Sequence, residues 1–238
     1  MFLDKFHSVN QGRIVVSATQ ASQFAKDIAG DYNPIHNPDA RRFCVPGDLL
    51  FALILDRFGL YQNMTFKFRS LLGPDVPLEL NNSDGLIQVT DAAGKVYLEA
   101  TCDGDMTEDR KLIEEVTRCY VAASGTNFPH TLKPLMESNG VMFNPQRPMI
   151  IYESMSLALS DLNIESPGLK TGHSSLAVNG KRATASLEYQ LTSADKSVGT
   201  VEKTLVITGV REYDGSAMDD IITQFYELQA EYKAARDT

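Results

Sequence analysis

Apolar positions along this chain change period several times, and each change marks an element. Gly12 to Ala18 is short and β-branched, which predicts a strand. From Thr19 to about Ala29, Ala21, Phe24, Ala25 and Ile28 fall on one helical stripe, with Thr19 placed to cap the start and Gly30 to end it. The stretch Asp31 to Pro38 holds two prolines and two asparagines and must be loop. Pro46-Gly47 opens a second helix, Asp48 to about Phe58. There Leu49, Leu50, Phe51, Leu53, Ile54 and Leu55 are apolar nearly all round, so other structure must wrap it. Strand-like segments follow at Asn63–Ser70, Val76–Leu80, Leu86–Thr90 and Lys95–Thr101, separated by glycine-bearing turns. A sheet curled around one hydrophobic helix satisfies this order.

The order then recurs. Glu108 to Ala123 reads as helix, with Leu112, Ile113, Val116 and Tyr120 on one face. Pro148 opens a second apolar helix, Met149 to Leu162, and strands follow at Leu176–Val178, Ala183–Leu191 and Gly199–Thr208. A closing helix, Ser216 to about Ala235, sets Ile221, Ile222, Phe225, Leu228 and Tyr232 at helical spacing. The helix-ending glycines Gly30 and Gly125, like the turn glycines Gly94 and Gly199, stand about half a chain apart, which marks a half-chain duplication. The reading is an α+β fold of two repeats, residues 1–106 and 107–238. No Pro/Ser-rich linker separates them, so they share one continuous sheet.

Composition narrows the function. The chain has 238 residues, 43% of them hydrophobic, with a formal net charge of −9. Its longest apolar run, Leu49 to Leu55, is too short to span a bilayer, and the N-terminus lacks a secretory pattern. Duplex binding needs many cationic contacts, and no Lys/Arg run exceeds Arg41-Arg42. Nucleic acid and membrane surfaces are therefore excluded as partners, and the expected location is the cytoplasm. Cys44, Cys102 and Cys119 match neither a disulfide framework nor a metal spacing, so they read as reduced thiols with no metal site.

The chemistry concentrates in Asp31-Tyr32-Asn33-Pro34-Ile35-His36. A carboxylate, an amide and an imidazole share one short loop at a helix end, and the Pro34 ring fixes φ between them. An Asp beside a His holds the imidazole tautomer and raises its basicity, so the pair can activate water near neutral pH. Gly47 opens the buried helix, where backbone N–H groups stabilise negative charge and a glycine lets a carbonyl approach. Arg41, Arg42, Lys67 and Arg69 read as solvated surface, and His130 as structural.

These residues resemble the hydratase signature of MaoC-like, (R)-specific enoyl-CoA hydratases, which have the hotdog fold. In that family a helix ends in Ser/Ala-Gly/Glu-Asp-x-Asn-Pro-Leu/Ile-His; here the residues are Ala29-Gly30-Asp31-Tyr32-Asn33-Pro34-Ile35-His36. The family's Phe before an Ile-Val-His-Gly-Met helix opening is similar to Phe43-Cys44-Val45-Pro46-Gly47-Asp48. Its Phe-Lys-x-Pro-Val-x-x-Gly-Asp is partly echoed from Phe66 to Asp75. The likeness covers roughly Gly12 to Cys102. Two positions depart from it: Pro46 stands where the family has His, and Asp48 where it has a hydrophobic residue. Pro46-Gly47-x-Leu is also similar to the Pro-Gly-Val-Leu of β-hydroxyacyl-carrier-protein dehydratases. In the second half, Ala123 to His130 keeps a degenerate motif with Thr126 at the acid position. As a whole the chain is similar to bacterial tandem double-hotdog proteins.

The resemblance implies a hydro-lyase that adds water to a trans-2-enoyl-CoA or related acyl thioester. Asp31 and His36 would be the catalytic pair. Gly47 would donate to the thioester oxygen, and Asn33 would hold the loop or the water. It implies no cofactor beyond coenzyme A as part of the substrate. Acyl-thioester hydrolysis on the same fold and non-catalytic acyl-CoA binding are the alternatives. The chain is either a complete pseudo-dimer in itself or one half of a homodimer.

Overall fold

The computed structural model describes residues 2–236. A small hairpin, β1 (Ser8–Asn10) and β2 (Arg13–Val15), leads into helix α1 (Ala18–Phe24). Ser17 rather than Thr19 caps this helix: its hydroxyl accepts from the Gln20 N–H, and the Gln20 side chain accepts from the Ser17 N–H, closing a capping box. One π turn, Ala25–Ala29, extends the helix to Gly30, whose left-handed backbone (φ +65°) ends it. Helix α2 (Gly47–Phe58) buries its residues from Asp48 to Leu55. Gly59 stops it at φ +87°.

Strands β3 (Leu60–Phe68), β4 (Leu78–Ser83), β5 (Leu86–Asp91) and β6 (Val96–Thr107) complete the first half. Helix α3 (Arg110–Gly125) follows, capped by Asp109, whose carboxylate accepts from the Lys111 and Leu112 N–H groups. A π turn (Phe128–Leu132), helix α4 (Lys133–Ser138) and strand β7 (Val141–Met142) lead into the second run of strands. These are β8 (Ile150–Leu159), β9 (Pro167–Asn179), β10 (Arg182–Ser193) and β11 (Lys196–Thr208). Strand β12 (Arg211–Glu212) pairs with β7 apart from the main sheet, and helix α5 (Gly215–Arg236) ends the described chain.

Ten strands form one antiparallel sheet in the order β1-β2-β4-β5-β6-β3-β8-β11-β10-β9. This is the expected α+β class, with two runs of antiparallel strands joined in one sheet. The halves meet where β3 pairs with β8, from Asn63 opposite Ala158 to Lys67 opposite Ser154. One expected helix is instead a strand. Residues 149–162 are not a second apolar helix, and β8 occupies most of them. The reason lies in the period: Met155, Leu157 and Leu159 are buried while Ser154, Ser156 and Ala158 between them are more open, a two-residue alternation that suits a half-buried strand. The helix of the second half is α3, which packs against α2, the Ala25–Ala29 turn and β9. Among the described residues, no helix is long and apolar enough to cross a membrane.

Candidate active site

The motif loop is held by its own backbone and side chains. The Asp31 N–H donates to the Ala25 carbonyl (2.8 Å), carrying the π turn one residue past Gly30. Asp31 Oδ1 accepts from the Asn33 N–H (2.8 Å), and Asn33 Oδ1 accepts from the Ile35 N–H (3.1 Å), starting a 3-10 turn over Pro34–His36. Asn33 is therefore spent on capping the loop. Tyr32 is buried and packs edge-on against Phe225 and Tyr232 of α5. That anchor turns Tyr32 inward and leaves its neighbours Asp31 and Asn33 toward the other side.

This loop brings Asp31 and His36 together. His36 Nε2 lies 3.4 Å from Asp31 Oδ2, while its Nδ1–H donates to the Cys44 carbonyl at 2.7 Å. The second bond fixes the tautomer, so in the neutral ring the Nε2 lone pair points at the carboxylate. His36 is only 9% exposed. Burial by itself lowers its pKa, but the Asp31 contact, the Cys44 carbonyl and the charge of Asp48 together hold it above the usual imidazole value.

Gly47 opens α2 after Pro46, a start with no side-chain cap. A Cβ there would lie 2.8 Å from the Phe68 ring and 3.1 Å from the Tyr152 ring. Close packing thus requires a glycine at this position whatever ligand it serves. The next residue, Asp48, stands where the hydratase signature has a hydrophobic residue, and its side chain turns into the protein with 8% of the residue exposed.

Sequence reasoning missed what Asp48 meets. Ser124 near the end of α3 donates its hydroxyl to Asp48 Oδ2 at 2.6 Å, and the Lys203 ammonium of β11 donates to the Ser124 oxygen. Lys203 also lies over the Tyr152 ring, 4.1 Å from its centre, and Tyr152 is hydrogen-bonded to Tyr120. Nearby, Tyr189 donates to the Asn127 side chain. Ser124 and Asn127 both come from the degenerate second motif, so that segment supplies polar groups even without an acid. Burial pushes the Asp48 carboxyl up and the Lys203 ammonium down, each partly offset by the other. Burial also drives Tyr120 and Tyr152 well above the ordinary phenol value and Tyr189 up to about 12, so all three stay neutral donors.

The remaining expected residues lie apart. Arg41 and Arg42 are exposed, Arg69 pairs with Glu99, and His130 is exposed on the π turn after α3. Cys44, Cys102 and Cys119 are free thiols, and burial pushes Cys44 and Cys102 up to about 11. Among the described residues, no group of three or more His, Cys, Asp or Glu side chains is placed to hold a metal ion. A cleft of about 470 Å³, lined by His7, Leu53, Asp56, Arg57 and Arg110 among others, opens at the far end of α2. Along α2 its lining residues Leu53 to Phe58 stand six to eleven residues, roughly 9–16 Å, from Gly47.

Solved structures with similar chain traces include a tesB protein from Mycobacterium avium subspecies paratuberculosis. It is 11% identical, with a TM-score of 0.41, over 71% of this chain and 89% of that one. A MaoC-like dehydratase matches at 9% identity and a TM-score of 0.42, over 85% and 97% of the two chains. The peroxisomal multifunctional enzyme type 2 of Drosophila melanogaster matches at 9% and 0.45, over 80% of this chain and 47% of that one. A search of curated proteins found no match. Residues 1–216 match the family model described as "Protein of unknown function (DUF3581)", and the chain belongs to that family.

Proposed function

We propose that this protein is a hydro-lyase that adds water across the double bond of a trans-2-enoyl thioester of coenzyme A, using Asp31 and His36. The observation that carries this reading is the 3.4 Å approach of His36 Nε2 to Asp31 Oδ2, with Nδ1–H tied to the Cys44 carbonyl. The Asp31 side chain is about a quarter exposed and the His36 side chain 11% exposed, so water reaches the pair from the Asp31 side. The pair takes a proton from water, the hydroxyl adds to C3, and a proton is delivered to C2, giving a 3-hydroxyacyl thioester. Negative charge passing onto the thioester oxygen meets the uncapped N-terminus of α2 at Gly47, where the helix dipole is favourable. Asn33 supports the step by holding the loop. The reaction needs side chains and water, with coenzyme A entering only as part of the substrate.

One observation favours a second reading, thioester hydrolysis. Asp48 sits in the same helical turn as Gly47, and a carboxylate beside an oxyanion donor can direct water at the carbonyl carbon. Its Oδ2 is already occupied by Ser124 and the residue is buried, which ranks this reading second.

Crotonyl-CoA and longer 2-enoyl-CoAs test both readings, with loss of enoyl absorbance and release of free thiol followed together. Loss of absorbance without thiol, abolished by Asp31→Asn, is the expected result. Thiol release would establish the hydrolase. Thermal stabilisation by acyl-CoA with no turnover at any chain length would make the protein a binding module.

A further inference from the structure

Beside Gly47 the interior turns polar. The Phe68 and Tyr152 rings lie with their centres 4.2 Å apart, and a Cβ on Gly47 would stand 2.8 Å from the first and 3.1 Å from the second. An acyl chain whose thioester oxygen meets the Gly47 N–H therefore runs against these rings. Behind them stands a wall of polar side chains. Lys203 Nζ lies 4.1 Å from the centre of the Tyr152 ring and donates to Ser124, and Ser124 donates to Asp48, the residue after Gly47. Three residues past Ser124, Asn127 Oδ1 accepts from the Tyr189 hydroxyl.

Asp48 and Asn127 are 8% and 6% exposed, yet Asp48 Oδ1 and Asn127 Nδ2 make no hydrogen bond within the protein. Buried polar groups are ordinarily paired, because an unpaired one forfeits the bonds it made to water. An apolar chain laid against this wall does nothing for either atom. A hydroxyl serves both kinds, since it accepts from an amide N–H and donates to a carboxyl oxygen. Charge points the same way. Burial drives the Asp48 carboxyl and the Lys203 ammonium toward their neutral forms, and with the proton on either side the two cancel. The wall thus holds no spare charge for an anion.

We propose that Asp48 and Asn127 form a subsite for a neutral hydroxyl group on the acyl chain, so that the substrate is a hydroxylated acyl thioester and not a plain fatty one. Asp48 comes from the first half and Asn127 from the second, while Ser124, Lys203 and Tyr189 are positioning residues that hold them. A site built this way discriminates strongly, because a methyl group in place of the hydroxyl leaves its buried polar atoms unpaired. The inference rests on the reading of Gly47 as the donor to the thioester oxygen, and makes no use of Asp31 and His36.

Equilibrium binding to the intact protein tests it without turnover. Calorimetry compares 4-hydroxybutyryl-CoA, 5-hydroxypentanoyl-CoA and 6-hydroxyhexanoyl-CoA with pentanoyl-CoA, hexanoyl-CoA and heptanoyl-CoA, each pair matched in heavy atoms, and with succinyl-CoA as the anion. At one chain length or more, the hydroxyl compound is expected to bind about tenfold tighter than its match, the effect of one or two well-made hydrogen bonds. Two paired changes locate the effect: Asp48→Leu with Lys203→Met, and Asn127→Leu with Tyr189→Phe. Each removes both members of a polar pair for apolar groups of similar size, which a core tolerates better than one orphaned partner, and either one that folds carries the test. The preference should fall below about twofold while pentanoyl-CoA binds as it does to wild type. Equal or tighter binding of the unsubstituted thioester at every length overturns the subsite, as does a preference that both variants keep. Tightest binding of succinyl-CoA overturns its neutral character. No binding of any acyl-CoA rejects the subsite and the acyl-thioester reading together. Hydration of crotonyl-CoA without a hydroxyl preference keeps the reaction and rejects the subsite; a hydroxyl preference without hydration of any 2-enoyl-CoA does the reverse.

Discussion

Gly125 and Ala29 stand so close that a methyl group on Gly125 would overlap the Ala29 carbonyl. The contact joins the end of α3 to the π turn that presents Asp31, so the last turn of a second-half helix fixes where the first-half motif begins. Gly125 is helical, and bulk rather than backbone conformation excludes other residues. Gly125→Ala is expected to destabilise the protein by about 1–3 kcal/mol or more, the usual result of overpacking against backbone that cannot step aside. Urea unfolding checks this, and a midpoint equal to wild type would show that the joint yields.

Asp31→Asn and His36→Gln address the chemistry itself. Each is expected to lower hydration of 2-enoyl-CoA by about 10²–10⁴-fold, the range for loss of a positioned acid–base group. Far-ultraviolet circular dichroism should be unchanged, because backbone bonds and Asn33 hold the loop as well as Asp31 does.

His36 also predicts a pH dependence of stability. Its pKa is raised in the folded protein, so the folded state binds the proton more tightly than the unfolded chain, whose imidazole titrates near about 6.5. The resulting stabilisation is fully present below that value and is lost as pH rises through the folded value. The advantage of wild type over His36→Gln should therefore shrink with rising pH, read as the difference between their urea midpoints. An advantage that grows with pH would mean that burial outweighs Asp31.

Gly47→Ala should lose stability together with activity. Its Cβ would press on the Phe68 and Tyr152 rings, at an expected cost of about 1–3 kcal/mol. Lost activity at full stability would instead assign the glycine wholly to the ligand.

Helix α5 is tied to the motif helix through Asp27, whose side chain is 5% exposed and accepts from Tyr232 (2.8 Å) and Arg236 (2.5 Å). Tyr232→Phe removes one donor and should cost about 1 kcal/mol. Hydrogen exchange should show faster opening of residues 225–236 and of the loop around Tyr32, and exchange unchanged in the loop would separate the two.

Much of the first half could be read from the residues. The all-round apolar run after Gly47 is a buried helix, Gly30 ends a helix in the left-handed region, and Asp31 and His36 meet as their spacing implied. The misread segment was Met149–Leu162, where hydrophobic density hid the alternation of Met155, Leu157 and Leu159. Lys203 was missed although its position carried a signal. It stands in phase with Val201, Leu205 and Ile207 along β11, where a charged residue on the inward face demands a buried partner. Its partners, Ser124 and beyond it Asp48, are far away in sequence, and only the pairing of the two halves brings them together.

The β3–β8 seam also bears on how the chain is made. β3 lies inside the finished sheet, yet one of its edges has no strand to pair with while the ribosome translates residues 69 to 149. An unpaired edge beside apolar residues such as Met64 and Phe66 invites pairing with another chain. The nascent first half, although it contains its own helix and strands, is thus a transient hazard that the arrival of β8 removes. Substitutions along β8 that delay its pairing with β3 would lengthen that exposure, beyond what they cost the finished fold.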